Sequence, residues 1–475
     1  MSTTSRGRSI DRQIRAYALP SLATLLAQPL LVAADTAMVG HLGTLPLAGL
    51  ALASTLLSTL VGLCVFLAYA TTAATGTLVG AGDRRAAASR GVEGIWLAAG
   101  IGCILGAILL LFATPVLELF NAEPSTTAQA ARYLRASAVG LPGMLVVLAA
   151  TGTLRGFGDT KRPLYAATAG AVANIPLNFA LIYPAGLGVA GAGLGTALSE
   201  TGMGGWLAFV VARIARGSGA SLAPSRRGIL GALGQSWPLI VRTVCLRASI
   251  LAEIAAATSL GTVALAANQI AMTVWQFAAY GLDSLAMAAQ ILISTAIGAS
   301  SAAKDVDSPA QGRSDGPTEP HGSEGQTEPI GDVPAVLSRC LRYGVATGIG
   351  LGVALAAASV PIPAAMGAES AVRSLSTGTL IVIACCLPLA SVAYILDGVL
   401  IGAQDTRRLA WYMLAALFVF APIAWMIMAV HSAYPDVPGA WLFFALWAAY
   451  GGVFMAARAG TMLARARSGK PFGTP

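Results

Sequence analysis

The sequence predicts an all-α polytopic membrane protein with 12 transmembrane helices in two pseudo-symmetric six-helix lobes. Three observations carry that expectation: a composition too apolar for water, a series of apolar runs of bilayer length, and an internal repeat. Of 475 residues, 56% are hydrophobic and 11% charged, where a soluble domain is about 25% charged. Too few polar residues remain to coat a water-facing surface. The apolar content excludes a disordered chain, and pattern and cysteine density exclude collagen-like and disulfide-bonded scaffolds. Cys64, Cys103, Cys245, Cys340, Cys385 and Cys386 sit in apolar stretches without metal-ligand spacing and read as small apolar fillers. The first apolar run is too long for a cleaved signal peptide and is expected to be a retained span.

A spanning helix takes about 20 mostly apolar residues. Gly, Pro and Asn breaks and charged ends give spans at 16–41, 46–80, 89–120, 127–155, 161–183, 188–214, 235–260, 263–299, 336–366, 371–402, 408–431 and 438–464. The bases set their direction. Arg6, Arg8, Arg12 and Arg15 lie in the N-tail, and Arg458, Arg465, Arg467 and Lys470 in the C-tail. Loops after even-numbered spans hold most of the others, such as Arg84, Arg85 and Arg90, so that 24 of 29 bases fall on one side. That side is expected to be the cytoplasm, with both termini in it, and the membrane a bacterial-type plasma membrane. Bases at span ends, not on one face, argue against a nucleic-acid partner. The resulting division is an N-tail 1–15, an N-lobe 16–214, a linker 215–234, a C-lobe 235–464 and a C-tail 465–475. Within the C-lobe, residues 301–334 are acidic and rich in Pro, Gly and Ser. They read as a disordered cytoplasmic insert, with a docking role as the alternative.

The halves match each other. A shift of 218 aligns Pro20 with Pro238, Asp35 with Glu253 and Leu42-Gly43-Thr44 with Leu260-Gly261-Thr262, with 16 of 62 positions identical. A shift of 246 then aligns Glu123 with Glu369, and the Gly152–Arg162 segment, which holds Asp159, with Gly398–Arg408, which holds Asp405. The acidic insert accounts for the change of shift. Six spans per copy return the chain to the same side. The copies are therefore parallel, with a cleft between them that suits alternating access.

Pro20 followed by Asp35-Thr-Ala-Met-Val-Gly-His41-Leu-Gly43 resembles the first helix of multidrug and toxic compound extrusion (MATE) transporters. The Gly-x-Leu-x-Gly-x-x-Asp-Thr-Lys/Arg element after spans 4 and 10 is similar to the same family. Tyr280-Gly-Leu-Asp283 and Leu396-Asp397-Gly-Val-Leu-Ile-Gly402 resemble its DinF-type (DNA-damage-inducible protein F) branch. The resemblance covers nearly the whole chain outside the insert. It implies a V-shaped pair of six-helix lobes and an antiporter that exports organic, often cationic and aromatic, compounds. It also implies a coupling site in the N-lobe, with the acid at Asp35 and polar partners at Asn174, Asn178 and Thr196. Where some relatives carry a second carboxylate on span 5, this chain has Asn178. The C-lobe acids of the NorM-type branch fall on Leu246 and Ala390. Both departures favour protons over sodium.

Depth counting points to the same residues. Asp35, the i,i+4 pair Asn174 and Asn178, and Thr196 share one outer-half level on three spans. A carboxylate there costs about 2.5–3.5 kcal/mol to insert, so a function is expected of it. The low dielectric disfavours its charge while amides and a hydroxyl favour it, the balance of a proton-exchange site. The bland readings are a water-facing acid, interhelical glue for the amides, and a hydroxyl bonded to its own helix for Thr196.

Other candidates follow. Glu253 reads as a second proton or substrate-cation site, or as a structural acid, and Glu200 as a substrate-cation candidate. Arg242 and Asp283 share a depth on spans 7 and 8 and read as a buried ion pair, with Arg247 as an alternative base. Asp397 reads as a gating or loop anchor near the cytoplasmic end of span 10, and Asp159 and Asp405 as caps with salt bridges. Tyr69, Tyr280, Trp275, Phe277 and Met287 read as lining for a cation-tolerant cavity, or as packing and lipid-facing residues. Pro20 and Pro29 are expected to interrupt the first helix and let it shift on protonation. His41, His431 and His321 show no ligand spacing. No cofactor is expected beyond a proton gradient, with sodium open. The expected partners are small organic substrates, protons and the lipid bilayer, with the chain acting as a monomer. Competing readings are a lipid-linked precursor flippase and a membrane scaffold. No enzyme constellation is present.

Overall fold

The computed structural model describes residues 3–120, 122–307, 332–434 and 436–472. Helices α1 (Thr3–Gly40), α2 (Thr44–Leu63), α3 (Phe66–Gly80), α4 (Arg84–Glu118), α5 (Pro124–Ala138), α6 (Leu141–Gly156), α7 (Lys161–Ile182) and α8 (Val189–Gly217) form the N-terminal half. The C-terminal half comprises α9 (Arg226–Ser259), α10 (Thr262–Asp307), α11 (Val333–Ala358), α12 (Pro361–Ala365), α13 (Ser370–Gly402), α14 (Thr406–Ala433), α15 (Gly439–Ala448) and α16 (Met455–Arg467). A π-helical turn, Ala449–Phe454, joins the last two. No strand occurs among the described residues.

Nine stretches among the described residues are long and apolar enough to cross a bilayer, and the pair α5 and α6, bent by 53°, makes ten. α8 and α9, at 29 and 34 residues, have the length but not the apolarity. The reason lies in their composition. α8 is rich in glycine and contains Glu200, and α9 contains Arg242, Arg247 and Glu253.

The repeat is visible in the backbone. Gly43 and Gly261 both take positive φ, at 114° and 102°. The turns before them are bonded alike: Leu42 N–H to Val39 and Leu260 N–H to Ala257, then Leu47 N–H to Gly43 and Leu265 N–H to Gly261. In the second register, Gly158 (φ 79°) is matched by Gln404 (φ 58°), the one non-glycine with positive φ among the described residues. Here the repeat keeps a left-handed turn where its glycine has been lost.

The halves meet where α3 crosses α10, and repeat-related residues meet there. Gly76 lies against Ser294, Gly80 against Thr295, and Gly298 against Thr77. Each contact is mirrored by its 218-shifted counterpart, so a pseudo-twofold axis passes between the two helices. A Cβ at Gly80 or Gly298 would strike backbone across the crossing. Gln290 Nε2 also donates to the Tyr69 carbonyl at 2.8 Å, and Gln404 Nε2 to Thr77 Oγ1 at 3.1 Å. The first and last described segments pack at this end. Ile10, Ile14 and Phe472 pack with Ile293, Val336 and Ile395, and Arg339 pairs with Asp11 at 3.0 Å.

Several boundaries differ from expectation. α1 begins at Thr3, so the first helix extends back into the expected N-tail, where Ile10 and Ile14 are buried. Pro20 and Pro29 sit inside α1 without ending it. Span 2 is split at Cys64 and Val65, and span 4 is the bent pair. The linker shrinks to 218–225. α10 continues through 301–307 and α11 starts at Val333, so both edges of the expected insert are ordered helix. Its remainder, 308–331 with His321, lies outside the described residues.

Candidate functional site

Asp35 stands on α1 five residues before its end at Gly40, about 8 Å of helix rise. Its side faces α7 and α8 and is 8% exposed. On α7, Asn174 and Asn178 flank Pro176 and share a face one turn apart. Asn178 Nδ2 donates to Asp35 Oδ1 at 2.6 Å and to Asn174 Oδ1 at 3.0 Å. Thr196 Oγ1, on α8, donates to Asp35 Oδ2 at 3.3 Å. Asn174 Nδ2 closes the network toward Thr196 Oγ1 at 3.4 Å and Ser199 Oγ at 3.3 Å. The structure thus brings together the four residues of the expected coupling site.

The short Asn178–Asp35 bond has the length of a charge-assisted one. Both carboxylate oxygens are used as acceptors, the arrangement of an ionised group. A proton on Oδ1 would turn that acceptor into a donor facing an N–H, and the bond to Asn178 would be lost. Such bonds to charge contribute about 1.5–3 kcal/mol, so protonation weakens the tie between α1 and α7. A second tie, Tyr183 Oη to the Met38 carbonyl at 2.8 Å, lies one turn toward the helix end.

Three further residues complete the site. Ser199 follows Thr196 by three positions, one helical turn. Gly195 lets α8 approach Asn178, and a Cβ there would collide with the amide. Tyr133 of α5 is buried beside this network. Gly195 belongs to the run Gly186, Gly188, Gly191, Gly193 and Gly195, whose spacing permits close helix approach; Ser199 and Tyr133 carry no such signal.

The C-lobe charges are arranged differently from expectation. Arg242 does not pair with Asp283. Its Nη2 binds Asp397 Oδ2 at 2.7 Å, and Arg458 Nη2 binds the same oxygen at 2.6 Å. Asp397 is 2% exposed and Arg458 1% exposed, so neither is a loop anchor or a tail residue. Asp283 lies within electrostatic reach of the cluster, without an ion pair. Arg242 also lies over the Tyr69 ring at 5.3 Å, and Arg458 over Tyr394 and Phe454, each at 5.5 Å. Arg247 is exposed and reaches Gly62 instead.

Asp159 bonds the N–H groups of Lys161 and Arg162 and pairs with Arg162 at 3.3 Å, the expected cap. Asp405 makes no cap bond and pairs with Arg465 at 2.6 Å. The proposed cavity aromatics divide. Trp275 and Met287 are buried, with Trp275 packed on Trp447 and Tyr450. Phe277 is 55% exposed and meets Tyr280 edge-on. Glu200 is buried one turn beyond Thr196. Glu253 is buried and accepts from Asn268 Nδ2 at 3.2 Å.

The profile of the MatE family matches residues 20–180 and 332–426. Protein DETOXIFICATION 44, chloroplastic, of Arabidopsis thaliana is 28% identical over 86% of this chain and 75% of its own length. DNA damage-inducible protein F of Escherichia coli is 29% identical over 61% of this chain and 64% of its own. The fold is similar to the bent form of the Vibrio cholerae MATE transporter VcmN, with a TM-score of 0.82 at 19% identity over 99% of this chain and 100% of that one. Asp35 and its α7 partners fall within the family match, and the chain is a member of the MatE family of multi-pass membrane transporters.

Proposed function

We propose that the chain is a secondary active antiporter. It exports small organic compounds, cationic and aromatic ones among them, by alternating access and draws its energy from protons entering through Asp35. The observation that carries the reading is Asp35 itself: a buried intramembrane carboxylate tied to two other helices by Asn178 and Thr196. Intramembrane acids of this kind are functional by default. The chain is read as twelve spans in a plasma membrane, with both termini cytoplasmic. The α3–α10 crossing then closes the cytoplasmic side and leaves the cleft open outward. The DinF-type branch fits the Escherichia coli relative.

The cycle follows from the bonds. In the outward-open state, ionised Asp35 holds α1 against α7 and α8. A proton from outside breaks the Asn178 bond, α1 shifts, and the N-lobe cavity narrows and expels substrate. Release of the proton toward the cytoplasm restores the bond. The site holds a single carboxylate, with Asn178 where some relatives carry a second acid, and one negative charge suits exchange of one proton. Export of a fluorescent organic cation from cells expressing the chain tests this. Export is expected to stop with a protonophore and in Asp35→Asn. A wild-type rate in Asp35→Asn would remove Asp35 from the mechanism.

A further inference from the structure

The repeat places a second carboxylate where Asp35 stands. Asp35 lies eight residues before Gly43, and Glu253 eight before Gly261; these glycines have matching φ and matching turn bonds. Glu253 therefore has the depth in the C-lobe that Asp35 has in the N-lobe. Its surroundings differ in a specific way. The α7 amides Asn174 and Asn178 flank Pro176, and the matching α14 residues, Phe420 and Ala424, flank Pro422. The amide pair has become an apolar pair, both members buried.

Glu253 is 0% exposed and accepts one neutral bond, from Asn268 Nδ2 to Oε2 at 3.2 Å. Asn268 Oδ1 in turn accepts from Trp447 Nε1 at 2.9 Å, which fixes the amide with its NH2 toward Glu253. Oε1 is buried and has no partner. Trp447, which holds Asn268, and Phe420 each meet Tyr450, with centroids at 5.9 and 5.6 Å. The charged or titratable groups around it are Tyr450, from the π-helical turn, and Arg247, on Glu253's own helix and also acting on Tyr450. α10, α14 and α15 present Asn268, Phe420 with Ala424, and Trp447.

The contrast with Asp35 is chemical. Asp35 has a donor on each oxygen and one charge-assisted 2.6 Å bond. Glu253 has a single bond of ordinary neutral length and an orphan oxygen. A buried polar atom without a partner is unfavourable, and far more so if it is charged. A proton on Oε1 removes the charge, and in so closely packed a site a proton is the ligand that fits.

We infer that Glu253 is a second proton-binding site of the exporter, in the C-lobe, loaded in the outward-open state and emptied when the lobes rock. This rests on proton-driven export as proposed above. No bond is made other than O–H at Oε1, and the proton returns to water on the other side.

Two measurements test it. The first is the number of protons moved per substrate in proteoliposomes. It is expected to fall by about half in Glu253→Gln, since each coupled site carries its own linked proton. The second is the infrared carbonyl band of protonated carboxyl groups, with carboxyl-labelled glutamate to separate glutamate from aspartate. A labelled band is expected at acid pH in the wild type, lost on substrate binding and absent from Glu253→Gln. If Glu253→Gln does not fold, the band is followed in Asp35→Asn carrying Glu200→Gln. An unchanged proton ratio in Glu253→Gln, or a labelled band that substrate does not move, overturns the second site and leaves Asp35 coupling intact. A wild type that does not move protons with substrate overturns the proposed function as well.

Discussion

Asn178 Nδ2 lies 2.6 Å from Asp35 Oδ1, joining α7 to α1 across 143 positions of sequence. The same nitrogen bonds Asn174 Oδ1, so the amide is fixed before the carboxylate uses it. If that bond holds ionised Asp35 in the outward-open state, its removal should weaken coupling more than folding. Asn178→Ala deletes a donor to charge, a loss of about 1.5–3 kcal/mol. Proton-driven export is expected to fall roughly 10- to 100-fold, with an unchanged elution profile in detergent. Export at the wild-type rate would show the bond to be incidental.

Gly195 makes room for that amide. Its Cβ-free face lies against the Asn178 side chain. In Gly195→Ala either α8 or Asn178 must move, at about 1–3 kcal/mol of overpacking. Export is expected to drop at least as far as in Asn178→Ala, and Gly202→Ala, in open space on the same helix, is expected to match the wild type.

Asp397 pairs with two buried arginines through one oxygen. Breaking such a pair from one side costs about 3–5 kcal/mol, because the remaining charges stay buried. Asp397→Ala is expected to lower the thermal unfolding midpoint by several degrees. Asp283→Asn, which breaks no ion pair, is expected to shift it far less. Equal shifts would contradict the assignment of Asp397 as the hub.

The halves pack backbone against backbone at the α3–α10 crossing, which on the proposed reading closes the cytoplasmic end. A leucine side chain at 298 would strike the Thr77 backbone and force the lobes apart there. Gly298→Leu is expected to abolish export. It is also expected to speed maleimide labelling of Ala74→Cys, which lines a cavity of about 300 Å³ beside this crossing, in a chain whose six native cysteines are replaced. Labelling no faster than in the parent would argue against a closed end there.

Much of the N-lobe site was legible. An acid in an apolar run and two asparagines four apart stand out, whereas Thr196 is one of many threonines and was singled out by the family resemblance. Helix rise alone placed them on one level. The repeat was legible too, because glycines with positive φ leave few substitutes. The C-lobe cluster was not. Arg458 lies nine residues before Arg467 in a basic C-terminal stretch, where charge reads as topology, and only packing shows it turned inward to Asp397. Depth matching paired Arg242 with Asp283, since counting along a helix gives level but not azimuth. The break at Cys64 and Val65 carries no proline or glycine, and the proline-containing α1 has no break. Local composition misplaced both because neighbouring helices, not propensity, decide where a buried helix bends.

The central claim is that protons, taken through Asp35, drive export. Proteoliposomes given a proton gradient and a sodium gradient in separate experiments test it most directly, with uphill movement of a fluorescent organic cation as the readout. The wild type is expected to concentrate the dye with the proton gradient alone, and Asp35→Asn to bind the dye without concentrating it. Accumulation driven by sodium alone, or undiminished in Asp35→Asn, would contradict the account.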